Sequence, residues 1–586
     1  MNICGLEINF ITVGFAALYC CIAVFMWIVS LLFSREYMAH YDHKRRYYIL
    51  MVVTWLATMG VLASGDYITT LIFFEIMSFA SYVLVIHEEK PVPMRAGETY
   101  IAVAIIGGML MLMGFFLLYD AVGTLKFDEL SPAVKAYLAA GGSRWRIYAS
   151  GMCLLLGFGA KAGMFPFHIW LPKEGPAAPA PVSALISGII TKTCVFGIIV
   201  VSTRLFFEDR VWGTMLSVFA AFTMFLGALL ALFSINLKRT LACSSVSQIG
   251  FILTGISMIV LLGEENALAS MGTILHMINH SMIKLLLFSC AGAIYMKRHS
   301  LDLNALRGYG RNKPYLMILF LIGATSIAGI PGTSGYISKT LLHEAVVEYI
   351  EHAHHLGYST VWFSAYEWIF LISGGLTFCY MTKLFVCLFI EKNPDPVIEE
   401  KYEKKGPYMT KLTAACLTAP AVVLVIMGAF PHQVMDKLAE MARPFLFGAE
   451  LEHTIHYFSL TNLKGSAISI SIGLVLYLTL VRFVFMREVK FKARLTADDQ
   501  HDEHGAEHGA EHAEGAEHAD GAAQSVEVDA KIYVNLWPEI IDLEDQLFRI
   551  IIKDALQPGI FAAIDAIPEK LVSLLARTAE ASEDAK

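Results

Sequence analysis

The chain has 586 residues, of which 56% are hydrophobic and only 16% charged. A soluble domain is about 25% charged, so this composition excludes an ordinary globular protein and points to the bilayer as solvent. The net charge of −8 hides two regions: residues 498–586 hold 21 acidic against 6 basic residues, whereas residues 1–497 hold 31 against 38. A mildly basic membrane part is thus followed by a strongly acidic tail.

Crossing a bilayer takes about 18 or more consecutive apolar residues. Thirteen such runs are predicted: 9–33, 47–64, 66–86, 99–119, 148–170, 182–202, 211–235, 240–262, 267–294, 315–344, 362–390, 409–430 and 466–486. The first is too long and aromatic for a signal peptide and lacks a basic leader. With thirteen spans, the loops on one side carry about 22 Lys and Arg against about 9 on the other. Basic loops stay cytoplasmic, so the N-terminus is expected outside and the C-terminus inside.

Spans two to six and seven to eleven form two five-helix groups. An offset of five spans reverses orientation, which predicts an inverted repeat with sites at broken helices. The fifth span holds Lys161 followed by Pro166. The tenth holds Gly329-Ile330-Pro331-Gly332 followed by Lys339. Proline inside a helix frees a backbone carbonyl at membrane depth. A plain kink without function is the alternative.

Beyond the last span the character changes. The run DDQHDEHGAEHGAEHAEGAEHADGAA at 498–523 is low in complexity and cannot bury a core of its own; a solvated linker is expected over 498–530. Over 531–586, Ile540, Leu543, Leu547, Ile550 and Ile551 share a face opposite Glu544 and Asp545. That suits amphipathic helices on a membrane surface or a partner. The expected fold is an all-α polytopic membrane protein of about thirteen transmembrane helices. It holds two inverted five-helix repeats (47–202 and 203–390) with broken helices, an N-terminal span and loop (1–46), additional spans (391–497) and an amphipathic helical tail.

Seven ionisable residues lie inside apolar runs: Glu75, Lys161, Lys192, His276, His280, Lys284 and Lys339. Each costs about 2.5–3.5 kcal/mol near the bilayer centre, and such residues commonly mark an ion or proton path. Glu75 and Lys161, placed together, would hold each other ionised; a separable pair is the functional reading and a static ion pair the structural one. His276, His280 and Lys284 recur every four residues and share one helix face over about 12 Å. Histidine relays protons near neutral pH, so this row reads as part of a water-linked relay. Lys192 could bridge Lys161 to it. Lys339, with His343 and Glu344 within about a turn, is placed where the path meets bulk water. His168 and Lys383 read as interfacial, snorkelling residues. The ten cysteines are scattered without a CxxC, and no glycine-rich dinucleotide fingerprint follows a strand. No metal site or cofactor is expected in this chain.

These residues sit in long stretches that resemble the antiporter-like membrane subunits of respiratory complex I, multisubunit cation/proton antiporters and energy-converting hydrogenases. The matching text is FFEIMSFASYVLV around Glu75, GFGAKAGMFPFHIWLP around Lys161, PAAPAPVSALISGIITKTCVFG around Lys192, LKRTLACSSVSQIGFILTGI, LHMINHSMIKLLLF and AGIPGTSGYISKTLL. The resemblance implies that Glu75 pairs with the pumping Lys161. It makes Lys192, His276, His280 and Lys284 a central hydrophilic axis, and Lys339 the distal lysine toward the outside. The run around HIWLP is most similar to the formate hydrogenlyase and membrane-bound [NiFe]-hydrogenase branch. It implies a proton-translocating subunit of a redox complex in a prokaryotic plasma membrane. Other membrane subunits and a peripheral redox arm would be its partners, with Fe–S and Ni–Fe centres in those chains and no nucleic-acid partner. The alternatives are a subunit of a standalone Na⁺/H⁺ antiporter or of NADH–quinone oxidoreductase. One departure stands out. The family's paired glutamate lies on the fifth helix, whereas Glu75 lies on the third predicted span, so the chain is expected to lack the first two helices and to gain one near 466–486.

Overall fold

The structure, a computed structural model, describes residues 2–3, 6–11, 14–403, 406–450, 455–494 and 525–534. A small ribbon of β1 (Asn2–Ile3) and β2 (Leu6–Glu7) precedes α1 (Phe15–Tyr37), α2 (Lys44–Leu62), α3 (Tyr67–Val85), α4 (Pro91–Val122), α5 (Phe127–Ala139) and α6 (Arg144–Ala162). After a break come α7 (Trp170–Ala177) and α8 (Ala180–Leu185), which continues through a π-helical segment, Ile186–Ile190, into α9 (Thr191–Leu205). Then follow α10 (Arg210–Phe233), α11 (Leu237–Leu262), α12 (Ala267–Arg298), the short α13 (Leu303–Leu306), α14 (Pro314–Ala328) and α15 (Ser334–His355). The described part closes with α16 (Val361–Phe385), α17 (Pro396–Glu403), α18 (Lys411–Ala429), α19 (Asp436–Ala442), α20 (Leu460–Leu476), β3 (Met486–Arg494) and β4 (Ser525–Tyr533).

The helix starts follow from local chemistry. Asp66, Asp209 and Asn236 accept from backbone N–H groups in the first turns of α3, α10 and α11, the usual role of such N-caps. Pro91 and Pro314 occupy the first helical position of α4 and α14, where a missing N–H costs nothing.

Ten helices among the described residues are long and apolar enough to cross a membrane, and they coincide with ten of the predicted runs. The other three runs fall on α2, α6 and the α14–α15 pair. Lys44, Arg45 and Arg46 open α2, and Arg144, Arg146 and Lys161 dilute the apolarity of α6. The third is broken, and its first half has only 15 residues. The stretches Ala180–Leu205 and Ala267–Arg298 are wholly buried across their apolar windows, whereas little of α20 is fully buried. The most enclosed helices are therefore α9 and α12, which carry Lys192, His276, His280 and Lys284.

Both predicted breaks are present. α6 ends at Gly163, whose φ of +82° is a left-handed conformation that glycine adopts without strain. α14 ends likewise at Gly329, and α15 restarts at Ser334. Helix packing is close where side chains are small. A Cβ at Gly227 of α10 would stand 2.4 Å from the Ser247 nitrogen, and one at Gly250 of α11 would stand 2.4 Å from the Met224 nitrogen. Contact of this kind drives helix association where lipid supplies no hydrophobic difference.

Two readings are corrected. Neither Lys383 nor His168 is a snorkelling residue: they are 2% and 3% exposed, and the Lys383 ammonium donates to Leu232 O (2.6 Å) and Ser234 O (2.7 Å) at the end of α10. A cation there satisfies carbonyls the helix leaves open and complements its dipole. Residues 525–533, which in sequence read partly as linker and partly as helix, form a strand antiparallel to β3, with Met486 opposite Tyr533 and Arg494 opposite Ser525. Alternation in SVEVDAKIY is the strand signature. The low-complexity run 498–523 and the amphipathic stretch 536–579 lie outside the described residues.

Replacing Gly250 with leucine should lower the melting temperature in detergent by several degrees, the scale of about 1–3 kcal/mol of overpacking. Phe222→Leu on the exposed face of α10 should leave it unchanged. Lys383→Met should also destabilise, by about 1–3 kcal/mol, because buried carbonyls lose their donor; thermal unfolding monitored by size exclusion reads both.

Candidate functional site

Glu75 stands half-buried on α3, with its carboxylate lodged against α4. A Cβ at Gly108 would come within 2.2 Å of Oε1, so only glycine leaves room for it. Lys161 is 1% exposed and lies one residue before the end of α6. Its ammonium sits 3.6 Å from the centre of the Tyr100 ring and 5.9 Å from that of Trp170, and it makes no hydrogen bond among the described residues. Ring faces attract a cation, more so when water is excluded. The Trp170 indole donates to Ala160 O at 2.8 Å, across the break, so the aromatic wall is tied to the helix end that carries the lysine. Glu75 and Lys161 lie within electrostatic reach of each other, but no ion pair within 4.0 Å joins them. The structure holds the pair apart.

Lys192 and His280 meet directly. The Lys192 ammonium contacts His280 Nδ1 and donates to Ser187 O at 2.7 Å and to Thr191 Oγ1 at 3.2 Å. Ser187 lies in the π-helical segment. A π turn interrupts the regular i→i−4 ladder, and here it leaves a carbonyl for the lysine. Cys194 lies within electrostatic reach of both Lys161 and Lys192. One turn beyond His280, Lys284 donates to Leu241 O at 2.6 Å and to the Ser244 hydroxyl. The row predicted on one face of α12 is real, but its members address different neighbours: α9 for His280 and α11 for Lys284.

His276 completes the row toward α15. Its Nε2 lies 3.1 Å from Gln248 Oε1 and its Nδ1 3.1 Å from Ser338 Oγ. A carbonyl oxygen can only accept, so Nε2 carries the hydrogen, and the single Ser338 hydroxyl proton is shared between His276 Nδ1 and Gly335 O at 3.2 Å. Asn279 Nδ2 donates to the same hydroxyl at 3.0 Å. These contacts link Asn279, Ser338, His276 and Gln248 in one hydrogen-bonded network. Lys339, the next residue on α15, is buried, donates to Ile327 O at 2.8 Å at the second break, and faces the Phe251 ring at 4.6 Å. It lines an open cleft with His343, Gly329, Asn462, Ser466 and Ser469. His343 lies 3.1 Å from Glu367 Oε1 and 3.6 Å from Glu344 Oε1.

The structure therefore brings together Lys192 with His280, and His276 with the helix of Lys339, while Lys161 and Glu75 stand at one end without direct contact. Several participants escape a reading of the sequence. Tyr100, Ser187, Gln248 and Ser338 are neutral polar residues with no distinguishing pattern, although SSVSQ is unusually polar for a membrane helix. Glu174 and Lys238 read in sequence as loop residues because prolines and a basic pair surround them. Both are buried, at 0% and 1% exposure.

This architecture has relatives. Hydrogenase-4 component B of Escherichia coli (strain K12) is 33% identical over 329 residues, covering 53% of this chain and 47% of that protein. An Na(+)/H(+) antiporter subunit from Alkalihalophilus pseudofirmus is 29% identical over 329 residues, covering 56% of this chain and 65% of that protein. The matched segments thus span about half to two thirds of those relatives' own length. The fold is similar to a chain in the structure of the Mrp complex from Dietzia sp. DQ12-45-1b, with a TM-score of 0.68, 22% identity and coverage of 80% of this chain and 49% of that one. It is similar also to a chain of the membrane-bound sulfane sulfur reductase, an archaeal respiratory membrane complex, with a TM-score of 0.64, 21% identity and coverage of 79% and 86%. The model of the family described as NADH:quinone oxidoreductase/Mrp antiporter, transmembrane, matches residues 64–364, and the chain belongs to that family.

Proposed function

We propose that this chain moves protons through the membrane along its buried cations, as an antiporter-like subunit of a redox complex of the hydrogenase type. One observation carries the reading: Lys161, Lys192, His280, His276 and Lys339 follow one another across the helical core, and among the described residues none has a carboxylate within salt-bridge distance. An ammonium held by carbonyls, hydroxyls and rings has no fixed counter-charge, so a moving charge nearby can decide whether it keeps its proton. Approach of Glu75 would hold a proton on Lys161, and withdrawal would release it toward Lys192 and His280. His280 and His276, with two ring nitrogens each, would pass it along. Lys339 would deliver it to the cleft beside His343. The basic loops put the opposite end in the cytoplasm.

Similarity to a hydrogenase component supports a redox partner, whose Fe–S and Ni–Fe centres would drive Glu75 through conformational or electrostatic coupling. Similarity to a Na⁺/H⁺ antiporter protein supports the second reading, a standalone antiporter that exchanges Na⁺ for protons. Purification in mild detergent separates them. Fe–S and Ni–Fe subunits should travel with the chain; recovery of antiporter subunits alone overturns the redox reading.

In sealed vesicles, Lys161→Ala and Glu75→Gln should each slow coupled proton movement by roughly a hundredfold, the low end for loss of a proton-transfer group. Assembly should be normal. Unchanged movement in both variants would make the chain an anchor rather than a conductor.

A further inference from the structure

Two buried charges lie outside the line of cations. Glu174 on α7 is fully buried, and neither carboxylate oxygen accepts a hydrogen bond from the described residues. Its nearby hydroxyl, Ser183, donates to Gly175 O at 3.2 Å and Ala178 O at 3.4 Å. Lys238, in the first turn of α11, donates to Ala178 O. The two charges lie within electrostatic reach, but no ion pair within 4.0 Å joins them. α7 is pressed onto α11 beside them: a Cβ at Gly175 would stand 2.6 Å from Ala242 Cβ and 3.2 Å from Lys238 O.

The surroundings on the two sides differ. Lys238 lines an open cleft of about 1050 Å³ with Glu88, Lys90 and Ala178. On the inner side, Glu174 lies within electrostatic reach of Tyr100, whose ring seats the Lys161 ammonium. The Tyr100 hydroxyl bonds Ser81 Oγ at 2.6 Å. Glu174 lies one helical turn after Trp170 on α7, and the Trp170 ring packs on Tyr100 at 5.0 Å, so the helix that carries this carboxylate joins the neighbourhood of Lys238 to the aromatic wall around Lys161. A carboxylate kept only for structure is expected to have its oxygens fully hydrogen-bonded; here the Ser183 hydroxyl is in reach of Glu174, but its single proton is also drawn to the Gly175 and Ala178 carbonyls.

We propose that Glu174 is the proton-transfer residue that loads Lys161 from the cleft beside Lys238. In each cycle the neutral carboxyl gives up its proton and the Lys161 amine gains one through intervening relay groups, one O–H bond breaking at Glu174 as one N–H bond forms at Lys161. The resulting carboxylate is steadied by the Lys238 charge and regains a proton from the cleft. The inference rests on the reading of this chain as a proton conductor.

The test uses the intact complex in vesicles with the basic face outward, and measures initial proton uptake. Glu174→Gln should slow uptake by about tenfold or more with unchanged assembly, and Glu174→Asp should recover most of it. Uptake within about twofold of the unsubstituted rate in Glu174→Gln, while Lys161→Ala is slow, overturns the role of Glu174 and leaves the conductor reading standing. Full uptake in Lys161→Ala as well overturns both. Carbodiimide labelling of the unsubstituted complex, read by peptide mass, covers the case in which Glu174→Gln does not assemble. Modification at Glu174 supports a protonated, reachable carboxyl; an unmodified Glu174 where Glu75 is modified overturns it.

Discussion

An ammonium group buried in a helical core without an acid beside it is the constraint on which the rest of this structure depends. Desolvating such a group costs several kcal/mol, and a carboxylate at hydrogen-bond distance would be the obvious remedy. This protein uses something else. Lys192 takes a carbonyl from a π turn, Lys339 takes one from the end of a broken helix, and Lys161 rests on two aromatic faces. Each of these irregularities in the helices stands where a lysine needs an acceptor. The close packing of α10 on α11 through glycines keeps lipid and bulk solvent away from that arrangement.

The cations occupy successive helices rather than one. Lys161 lies on α6, Lys192 on α9, the histidines on α12 and Lys339 on α15. A line drawn through them runs across the bundle instead of along any helix axis. The two ends differ in kind: Lys339 opens onto a cleft lined in part by α20, whereas Lys161 is sealed by Tyr100 and Trp170 and reached past α7.

Much of this was legible in the sequence, and the reason is physical. A charge in an apolar run is costly, so Glu75, Lys161, Lys192, Lys284 and Lys339 announce themselves. The four-residue spacing of His276, His280 and Lys284 put them on one face, as they are. Proline and glycine announced both breaks. The acceptors were not legible: a π turn at Ile186–Ile190 has no residue signature, and backbone carbonyls have none at all. Glu174 was hidden because the prolines around it imitate a surface loop, although α7 folds back into the core. Lys383 looked interfacial because it sits near the end of a span, yet the open carbonyls of α10 draw it inward. The strand at 525–533 alternates cleanly, but it follows directly on a low-complexity run whose character masks it.

Gly108 has a consequence of a different order. The Glu75 carboxylate occupies the volume in which any larger residue would place its first side-chain carbon. The resting place of this acid is thus set by shape rather than by an ion pair. A single methyl group introduced at position 108 would evict it without adding or removing a charge. The glycine thus sets by shape alone where the carboxylate rests, and a change there alters its distance from Lys161 while the number of titrating groups stays the same.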